Sequence, residues 1–462
     1  MIETMLSLAA AATALNATLR GEGSVAFARV GTDSRDVRPG DLFVALPGER
    51  FDGHDFVAAV LARGAVGALV QRGHPALAGL PPDAPLIEVD DTLAALGKLA
   101  AFWRRRFSLP LVALTGSSGK TTVKEMIAAV LRQHVGAEAV LATSGNLNNH
   151  IGVPLMLLRL REQHRYAVIE MGMNHFGEIA YLSQLAAPTV ALVNNAGTAH
   201  IEYLGSRAGI AQAKGEIFES LGDHAHAIIN LDDDFADYWQ SLNQSRPRLG
   251  FGLQQGEIQA RALVSEPLSS RFTLVTPSGE AVVTLPAPGL HNVRNALAAA
   301  AACHALGLDV AAIAEGLAHY AGAKGRLQQQ RAACGALLID DTYNANPDSM
   351  HAAMDVLAAL PAPRFLVLGD IGEIDEVAER HAELGRYARS KGLDTLYATG
   401  QGMRHAVDAF GVGGHWFASH AELVAALAPK LSAGAAVLVK GSRFMRMEQV
   451  VAALAATESK GA

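Results

Sequence analysis

The stretch SLPLVALTGSSGKTTVKEMIAAVL, residues 108–131, decides the fold expected for this chain. Residues 110–114 form a continuous apolar run, which is typical of a parallel strand buried on both faces. The loop TGSSGKTT follows at 115–122, and apolar residues then recur at helical spacing from Val123 to Leu131. A strand, a glycine loop and a helix in this order predict a phosphate-binding loop, where backbone N–H groups and a helix N-terminus meet an anion.

The loop is a short variant of the common nucleotide-binding pattern. That pattern has four residues between its first Gly and the Gly-Lys pair, and counting back from Gly119 places Leu114 at the position of the first Gly. Lys120 is expected to reach a β- or γ-phosphate, and the Thr121 hydroxyl to bind Mg²⁺. The alternative is a plain glycine turn. The residues predicted to bind the phosphates of ATP are Gly116, Ser117, Ser118, Gly119, Lys120, Thr121 and Thr122.

Length, net charge and cysteine spacing limit the classes of protein to which this chain can belong. A chain of 462 residues is expected to hold about three domains. A net charge of −7 and a pI of about 6.2 give no sign of a nucleic-acid partner. The two cysteines show no CxxC spacing, which favours a reducing, cytoplasmic location.

No part of the sequence predicts a membrane span. No apolar run approaches the ~18 residues that a span requires. The apolar N-terminal segment, residues 1–20, has Glu3 as its only early charge and lacks a basic start, so we expect an amphipathic helix there rather than a signal peptide.

Alternating strand and helix patterns predict an α/β protein with three domains. Residues 1–90 form a small α/β domain with strands at 41–46, 66–70 and 86–89, and its polar loops at 31–35 and 47–55 are either surface loops or ligand loops. Residues 91–322 form a doubly wound parallel sheet around the phosphate loop. Residues 323–462 form a third α/β domain, with strands at 336–340, 364–368, 394–399 and 435–440.

Polar side chains at strand ends predict a metal site. Glu170 closes the apolar strand at 166–172, and His200 follows the strand at 189–195. Ligands bind beyond the carboxyl ends of parallel strands, so both side chains are expected near the phosphate loop if the strands are neighbours. With Thr121 they would suit Mg²⁺, although a lone strand-end Glu or His is usually structural.

For several other candidate site residues, a structural role is an alternative to a functional role. Lys214 lies in a helical segment, where it could form an ion pair with Glu216. Asn292 and Asn295 open a long helix that runs to residue 305, where their amides could cap the helix or bind a ligand. An Arg and an Asp near the start of the third domain could complete the nucleotide site. The NKxD motif of GTPase switches is absent, which favours an enzyme over a signalling switch.

The motifs resemble those of the Mur ligases along the whole chain. Besides TGSSGKTT they include the following: TDSRDVRPGDLFVALPGERFDGHDF (32–56), GNLNNHIGVP (145–154), VIEMGMNHFGEI (168–179), VNNAGTAHIE (193–202), AKGEIF (213–218), HNVRNA (291–296), GRL (325–327), DDTYNANPDSM (340–350) and LVKGSR (438–443). The resemblance implies a central phosphate-loop domain flanked by a small N-terminal α/β domain and a C-terminal Rossmann-like domain.

The resemblance also implies an activity. It is that of an ATP-dependent amide ligase in cytoplasmic peptidoglycan synthesis, which joins D-alanyl-D-alanine to UDP-N-acetylmuramoyl-tripeptide through an acyl phosphate. We expect a monomeric enzyme that uses ATP and two Mg²⁺ ions. One same-class alternative is folylpoly-γ-glutamate synthase, against which the N-terminal domain argues. The other alternative is a nucleotide-binding regulatory protein without ligase activity.

Residue roles follow from the resemblance, motif by motif. Thr121 and Glu170 match ligands of the first Mg²⁺, and His200 matches a ligand of the second, which a carbamylated Lys214 supports. For ATP, Asn292 matches the adenine contact, Asp341 the ribose contact and Arg326 the γ-phosphate contact, with Asn295 and Asn344 beside them. The uridine-diphosphate site matches Ser34, Arg35, Asp52, Gly53 and His54, and the muramyl-peptide site matches Asn146 and Asn148.

Overall fold

The computed structural model describes residues 4–48, 50–197, 204–372 and 374–455, and the chain divides into two compact units. Within the described residues, no helix is both long and apolar enough to cross a membrane. The predicted domain boundaries at residues 90 and 322 stay a prediction. The first unit is Met1–Gln259, Val275–Glu280 and Leu297–Gly316, and the second is Ala260–Leu274, Ala281–Ala296 and Leu317–Ala462.

The N-terminal part of the first unit is a five-stranded sheet of order β2-β7-β6-β5-β4, in which only the β2–β7 pair is antiparallel. A separate antiparallel pair joins β1 to β3. The elements are β1 (Leu6–Ser7), α1 (Leu8–Leu15), β2 (Thr18–Arg20), β3 (Ala26–Phe27), β4 (Arg29–Gly31), β5 (Asp41–Val44), α2 (Val57–Ala62), β6 (Gly67–Gln71) and β7 (Leu86–Val89).

The helix expected at the N-terminus is confirmed as α1. Its first turn is capped by Ser7, whose hydroxyl accepts the Ala10 N–H at 3.1 Å. Asn16 ends the helix in the left-handed conformation, with φ of 53°. The buried side of the helix carries Leu8 and Leu15, so α1 belongs to the core.

A six-stranded, all-parallel sheet follows, in the order β13-β12-β11-β8-β10-β9. Strand β8 therefore lies between β10 and β11, where the strand order reverses, and ligands bind at such a point in open α/β sheets. The elements are α3 (Thr92–Arg104), β8 (Leu111–Thr115), α4 (Lys120–Val135), β9 (Val140–Ala142), α5 (Gly152–Leu157), β10 (Tyr166–Glu170), α6 (Glu178–Ala186), β11 (Val190–Val193), α7 (Arg207–Gly215), β12 (His226–Asn230), α8 (Ala236–Ser241) and β13 (Arg248–Phe251).

A three-stranded sheet of order β14-β15-β16 interrupts the expected alternation of strand and helix. It was not predicted, because its strands contain no continuous apolar run longer than three residues. In β15 buried and more exposed positions alternate, as they do in a strand covered on one face. Two helices follow. The elements are β14 (Gln259–Ser265), β15 (Ser270–Thr276), β16 (Gly279–Leu285), α9 (Leu290–Ala305) and α10 (Val310–Ala318).

The C-terminal part of the second unit is a sheet of order β17-β18-β22-β19-β20-β21, parallel except for the β17–β18 pair. The four strands predicted here are confirmed to within one residue, whereas β17 and β21 were not predicted. The elements are β17 (Gln328–Arg331), β18 (Leu337–Asp341), α11 (Pro347–Ala358), β19 (Arg364–Gly369), α12 (Val377–Ser390), β20 (Thr395–Thr399), α13 (Met403–Phe410), β21 (Gly414–Phe417), α14 (His420–Leu427), β22 (Ala436–Lys440) and α15 (Glu448–Leu454).

The two cysteines differ in their surroundings. Cys303 is fully buried in α9, and burial raises the pKa of its thiol. Cys334 is exposed in the turn after β17. Neither forms a disulfide.

Candidate active site

The predicted phosphate loop connects β8 to α4 as the sequence indicates. All five residues of β8 are buried, and α4 begins at Lys120. Gly119 adopts a φ of 76°, a left-handed conformation that costs glycine nothing and strains other residues. At Gly116 a side chain would be crowded, because a Cβ would lie 3.0 Å from the Asn194 Cβ and one of the two would have to shift. The first turn of α4 leaves N–H groups without partners inside the helix, which suits an anion.

Two asparagines that the sequence analysis did not assign hold this loop in shape. The Asn195 carbonyl accepts the Ser117 N–H at 3.1 Å, and the Asn195 side-chain oxygen accepts the Ser118 N–H at 2.9 Å. The Asn194 amide donates to the Ser118 carbonyl at 3.0 Å. Both asparagines directly follow β11, the neighbour of β8, so the strand order brings them to the loop.

Lys120 closes the loop on itself. Its ammonium donates to the Gly116 carbonyl at 2.6 Å, so a positive charge lies over the ring of residues 116–120. Thr121 is half-buried and Thr122 is buried at the start of the helix. Cation, hydroxyl and backbone amides are thus grouped at the carboxyl end of β8, which is the arrangement that polyphosphate binding needs.

Glu170 ends β10 beside the loop. In the parallel pairing it lies opposite Leu114, one residue before β8 ends. Its side chain is only 3% exposed. One carboxylate oxygen accepts the Asn148 side-chain N–H at 2.9 Å, whereas the other is buried and has no hydrogen-bond partner among the residues that the structure describes. A buried bare carboxylate oxygen is costly unless a cation or donor meets it.

Lys214, near the end of α7, is also buried, at 2% exposure. Burial lowers the pKa of its amine well below the usual range, and repulsion by the Lys120 ammonium lowers it further. The alternative partner, Glu216, is engaged elsewhere: its carboxylate accepts the N–H groups of Gly177 at 2.8 Å and Ala180 at 3.2 Å, at the start of α6. Burial therefore disfavours the charged ammonium at position 214.

The site fits a hard divalent cation. The Glu170 oxygen without a partner and the Thr121 hydroxyl are both oxygen donors of the kind that Mg²⁺ prefers. An ammonium at position 214 would repel the ion, whereas a carbamate there would supply further oxygen donors. The remaining expected ligand, His200, lies outside the described residues.

In the second unit, Asp341 ends β18 and pairs with a buried lysine. The Lys440 ammonium lies 2.6 Å from one Asp341 oxygen, and the other oxygen accepts the Leu327 N–H at 3.1 Å. Burial raises the pKa of Asp341, and the attraction of Lys440 opposes that rise. Lys440 also donates to the Asn344 carbonyl at 2.9 Å. Asn344 itself is an exposed residue.

Arg326 stacks on an aromatic ring. Its guanidinium carbon lies 4.3 Å from the centre of the Tyr343 ring, and that of Arg443 lies 5.7 Å from the same ring. Tyr343 is fixed in turn, because its N–H donates to the Gly325 carbonyl at 3.0 Å. The Nε of Arg326 is buried and has no hydrogen-bond partner in the described part of the chain. Two guanidinium groups around one ring create a positive patch.

Asn292 and Asn295 are both buried in the first turns of α9. The Asn292 amide donates to the Pro288 carbonyl at 2.8 Å, and the Asn295 amide donates to the Asn292 oxygen at 3.4 Å. Neither bond is an N-cap in the usual sense, since an N-cap side chain accepts a hydrogen bond from the helix backbone. The pair instead fixes the turn that leads into α9.

The predicted uridine-type residues fall into two groups in the N-terminal sheet. Arg35 is exposed and forms an ion pair with Asp33 at 2.7 Å, which lowers the pKa of Asp33 to about 2. The Ser34 carbonyl accepts a hydrogen bond from Arg63 at 2.7 Å. The second group lies after β5, where the Gly53 N–H donates to the Leu46 carbonyl at 2.9 Å.

The second group includes two stacked imidazoles. The His54 and His74 rings lie 4.1 Å apart, and Asp52 accepts from His54 Nδ1 at 2.6 Å and lies 3.3 Å from His74 Nε2. The far ring nitrogens accept backbone N–H groups, from Gln71 at 2.9 Å and from Ala76 at 3.3 Å. The near nitrogens must therefore carry the protons, so this cluster is a hydrogen-bonded support for the loop rather than a metal site.

The GNLNN segment follows β9. Asn146 is exposed, and its carbonyl accepts the Asn148 N–H at 2.8 Å. Asn148 reaches Glu170 through its side chain and the Gly172 N–H through its carbonyl, at 2.8 Å. The structure thus places Asn148, expected near the peptide substrate, in contact with the candidate metal ligand.

Comparisons with known proteins agree with this arrangement. Three family models match in succession: the Mur ligase family catalytic domain over residues 27–104, the Mur ligase middle domain over 114–303 and the Mur ligase glutamate ligase domain over 325–443. The middle-domain match contains the phosphate loop, Glu170 and Lys214.

The chain is also similar to individual proteins along its length. It is 45% identical to the UDP-N-acetylmuramoyl-tripeptide–D-alanyl-D-alanine ligase of Escherichia coli K12, over 95% of this chain and 96% of that protein. A crystal structure of MurF from Acinetobacter baumannii matches with a TM-score of 0.89 at 39% identity, over 98% of both chains. MurF ligase from Thermotoga maritima in complex with ADP matches with a TM-score of 0.74 at 29% identity, over 92% of this chain and 96% of that one. The chain belongs to the Mur ligase family, as these full-length matches and its phosphate loop show together.

Proposed function

We propose that this chain is an ATP-dependent ligase that joins D-alanyl-D-alanine to UDP-N-acetylmuramoyl-tripeptide in peptidoglycan precursor synthesis. The observation that carries the proposal is the buried Glu170 carboxylate beside the phosphate loop, in a chain that matches the E. coli ligase over 96% of its length. The T. maritima relative binds ADP, which supports ATP as the nucleotide.

The reaction needs a carboxylate to become an electrophile. Transfer of the γ-phosphoryl group of ATP to the tripeptide carboxylate forms an acyl phosphate and ADP. The amine of D-alanyl-D-alanine then attacks the acyl carbon, and the tetrahedral intermediate loses inorganic phosphate and a proton to leave the amide. Both ATP and the carboxylate are anions, so positive groups fixed in advance stabilise the transfer. We assign Lys120 and Arg326 to this task.

Thr121 and Glu170 are the residues that would hold Mg²⁺ at the phosphate loop. When bound there, the ion supplies charge neutralisation for the phosphate oxygens. His200 is assigned to a second ion by family resemblance. For the nucleoside, we assign Asn292 with Asn295 to adenine, and Asp341 with Asn344 to ribose.

We further propose that Lys214 is carbamylated. Its neutral amine would add to the carbon of CO₂, forming an N–C bond as one C=O π bond opens and releasing one proton. The product is a carbamate, whose single negative charge is shared by two oxygens. Support comes from the buried position, from the lowered pKa and from the engagement of Glu216 with α6. Lys214→Ala should lose nearly all activity, whereas Lys214→Glu should keep part of it. A crystal structure under CO₂ that shows an unmodified amine would contradict the carbamate.

The substrate and the setting complete the proposal. We assign Ser34, Arg35 and the 52–54 loop to the uridine diphosphate, and Asn146 with Asn148 to the muramyl peptide. A cytoplasmic, monomeric enzyme is proposed, and two unpaired cysteines support a reducing location.

The test of the function is an ADP-release assay with purified protein. ADP should form over repeated turnovers only when ATP, Mg²⁺, the UDP-linked tripeptide and D-alanyl-D-alanine are all present, because without the dipeptide the reaction stops at the acyl phosphate. Tripeptides ending in meso-diaminopimelate and in lysine, run in parallel, identify the accepted third residue. ADP release with a folate and glutamate would favour the folylpolyglutamate alternative, and nucleotide binding without any turnover would favour a regulatory protein.

A further inference from the structure

We propose that Lys124 and Thr143 act together as positioning residues for Glu170, and thereby set the affinity of this site for a divalent cation. The inference rests on the proposed function, which makes Glu170 a metal ligand. It concerns residues to which neither the motifs nor the family resemblance assigned a role. Neither residue is expected to touch the ion or the nucleotide.

Lys124 lies one helical turn after Lys120 but is directed into the protein. It is 2% exposed, and its ammonium donates to the Thr143 carbonyl at 2.6 Å and to the Glu125 carboxylate at 2.6 Å. These bonds tie α4, the helix that begins at the phosphate loop, to the end of β9. A buried charge of this kind adds little net stability compared with an apolar side chain of similar size. Its hydrogen bond to the Thr143 carbonyl does fix the distance between the first turns of α4 and the end of β9.

Thr143 carries the connection to β10. The ladder between β9 and β10 ends at the pair Ala142–Val168. Beyond it, the Thr143 N–H donates to the Val168 carbonyl at 3.0 Å, and the Thr143 hydroxyl accepts the Glu170 N–H at 2.9 Å. A side chain thus continues the ladder where the backbone of β9 turns away, and it fixes the backbone of Glu170.

The consequence falls on the carboxylate. The Glu170 backbone is held by Thr143, and one of its carboxylate oxygens is held by Asn148 at 2.9 Å; within the described part of the chain, its other oxygen has no partner. Groups that orient a metal ligand from behind are worth about 10- to 100-fold in metal affinity. Lys124, by holding Thr143, links that orientation to the helix that begins at the phosphate loop.

The experiment measures Mn²⁺ binding by electron paramagnetic resonance in the presence of saturating ADP, so that no turnover is needed. Thr143→Val removes the hydroxyl at nearly constant shape, and Thr143→Ser keeps it. We expect Mn²⁺ affinity to fall about tenfold or more in the valine variant and to stay within about twofold of wild type in the serine variant. Lys124→Met should weaken Mn²⁺ binding in the same direction, and Lys124→Arg less so.

Thermal unfolding of each variant separates positioning from folding. If Thr143→Val and Lys124→Met lower the melting temperature but bind Mn²⁺ as tightly as wild type, the two residues are merely structural and the inference is wrong. Glu170→Gln separates the inference from the proposed function. If Glu170→Gln binds Mn²⁺ like wild type, the assignment of Glu170 as a metal ligand is wrong, and so is this inference. If Glu170→Gln loses Mn²⁺ binding while Thr143→Val keeps it, only the inference is wrong.

Discussion

Lys440 and Asp341 form a buried ion pair of 2.6 Å at the carboxyl ends of neighbouring strands β22 and β18. Removing one partner leaves the other charge buried alone, which typically costs about 3–5 kcal/mol. We therefore expect Lys440→Met and Asp341→Asn each to lower the free energy of unfolding by about 3 kcal/mol. The double variant should lose clearly less than the two single losses added together, as measured by urea denaturation.

The exposed ion pair Lys391–Asp355, at 2.7 Å, is the matched control for this double-mutant cycle of Lys440 and Asp341. Solvent screens its charges, so its coupling should be far smaller. Equal coupling energies in the two cycles would contradict the role given to burial.

Tyr343 is expected to set the position of Arg326. Because the guanidinium stacks at 4.3 Å from the ring centre, Tyr343→Ala should release Arg326 and raise the KM for ATP by about fivefold, which is about 1 kcal/mol. Tyr343→Phe keeps the ring and should behave like wild type. Steady-state kinetics at varied ATP concentration test this prediction. An unchanged KM in the alanine variant would show that the Tyr343 ring does not position Arg326.

Lys120 is expected to be essential for turnover and dispensable for folding. Lys120→Ala should slow ADP release by about a thousandfold or more, because one fixed charge at the transferring phosphoryl group is lost. Its melting temperature should change little, since the side chain is only half-buried. Lys98→Ala, at an exposed position of α3, serves as the control. A Lys120→Ala enzyme with near-normal turnover would contradict the assignment of the phosphate loop.

Lys214 should make the free energy of unfolding increase as the pH rises towards the alkaline range. The folded protein lowers the pKa of this amine below its ordinary value of 10.5, so between the two values the unfolded chain binds the extra proton. Without metal and CO₂, burial of the charged amine destabilises the folded protein to its full extent below the folded pKa. This destabilisation decreases as the pH rises towards 10.5, because the amine then loses its proton in both states.

The corresponding measurement compares Lys214→Met with wild type in CO₂-depleted buffer from neutral to alkaline pH. The variant should be the more stable protein at neutral pH, and its advantage should shrink as the pH rises. An advantage that stays constant across this range would mean that the folded pKa is not lowered.

The comparison of sequence with structure separates two kinds of information. Features formed by residues close together in the chain were predictable: Gly116 to Thr122 form the loop between β8 and α4, and Glu170 ends a strand. Local hydrophobic period and turn chemistry determine such features. That the strand of Glu170 lies next to β8 was only a condition of the prediction, because it depends on the strand order.

Residues that act on the site from another strand were not predictable in the same way. Asn194 and Asn195 support the loop only because β11 lies next to β8, and Thr143 supports Glu170 only because β10 lies next to β9. Strand order depends on long-range packing, which a single sequence does not state. The three-stranded sheet at 259–285 was missed because its strands contain no continuous apolar run longer than three residues, and a strand covered on one face does not need one.

The contrast between the two cysteines has a practical consequence. A thiol must be accessible and able to ionise before it reacts with a maleimide, and Cys303, fully buried with a raised pKa, meets neither condition. Cys334 is exposed, so a fluorophore maleimide should attach there alone in the unmodified chain. The chain thus offers a single labelling position in the second unit, next to β17, without any engineered cysteine.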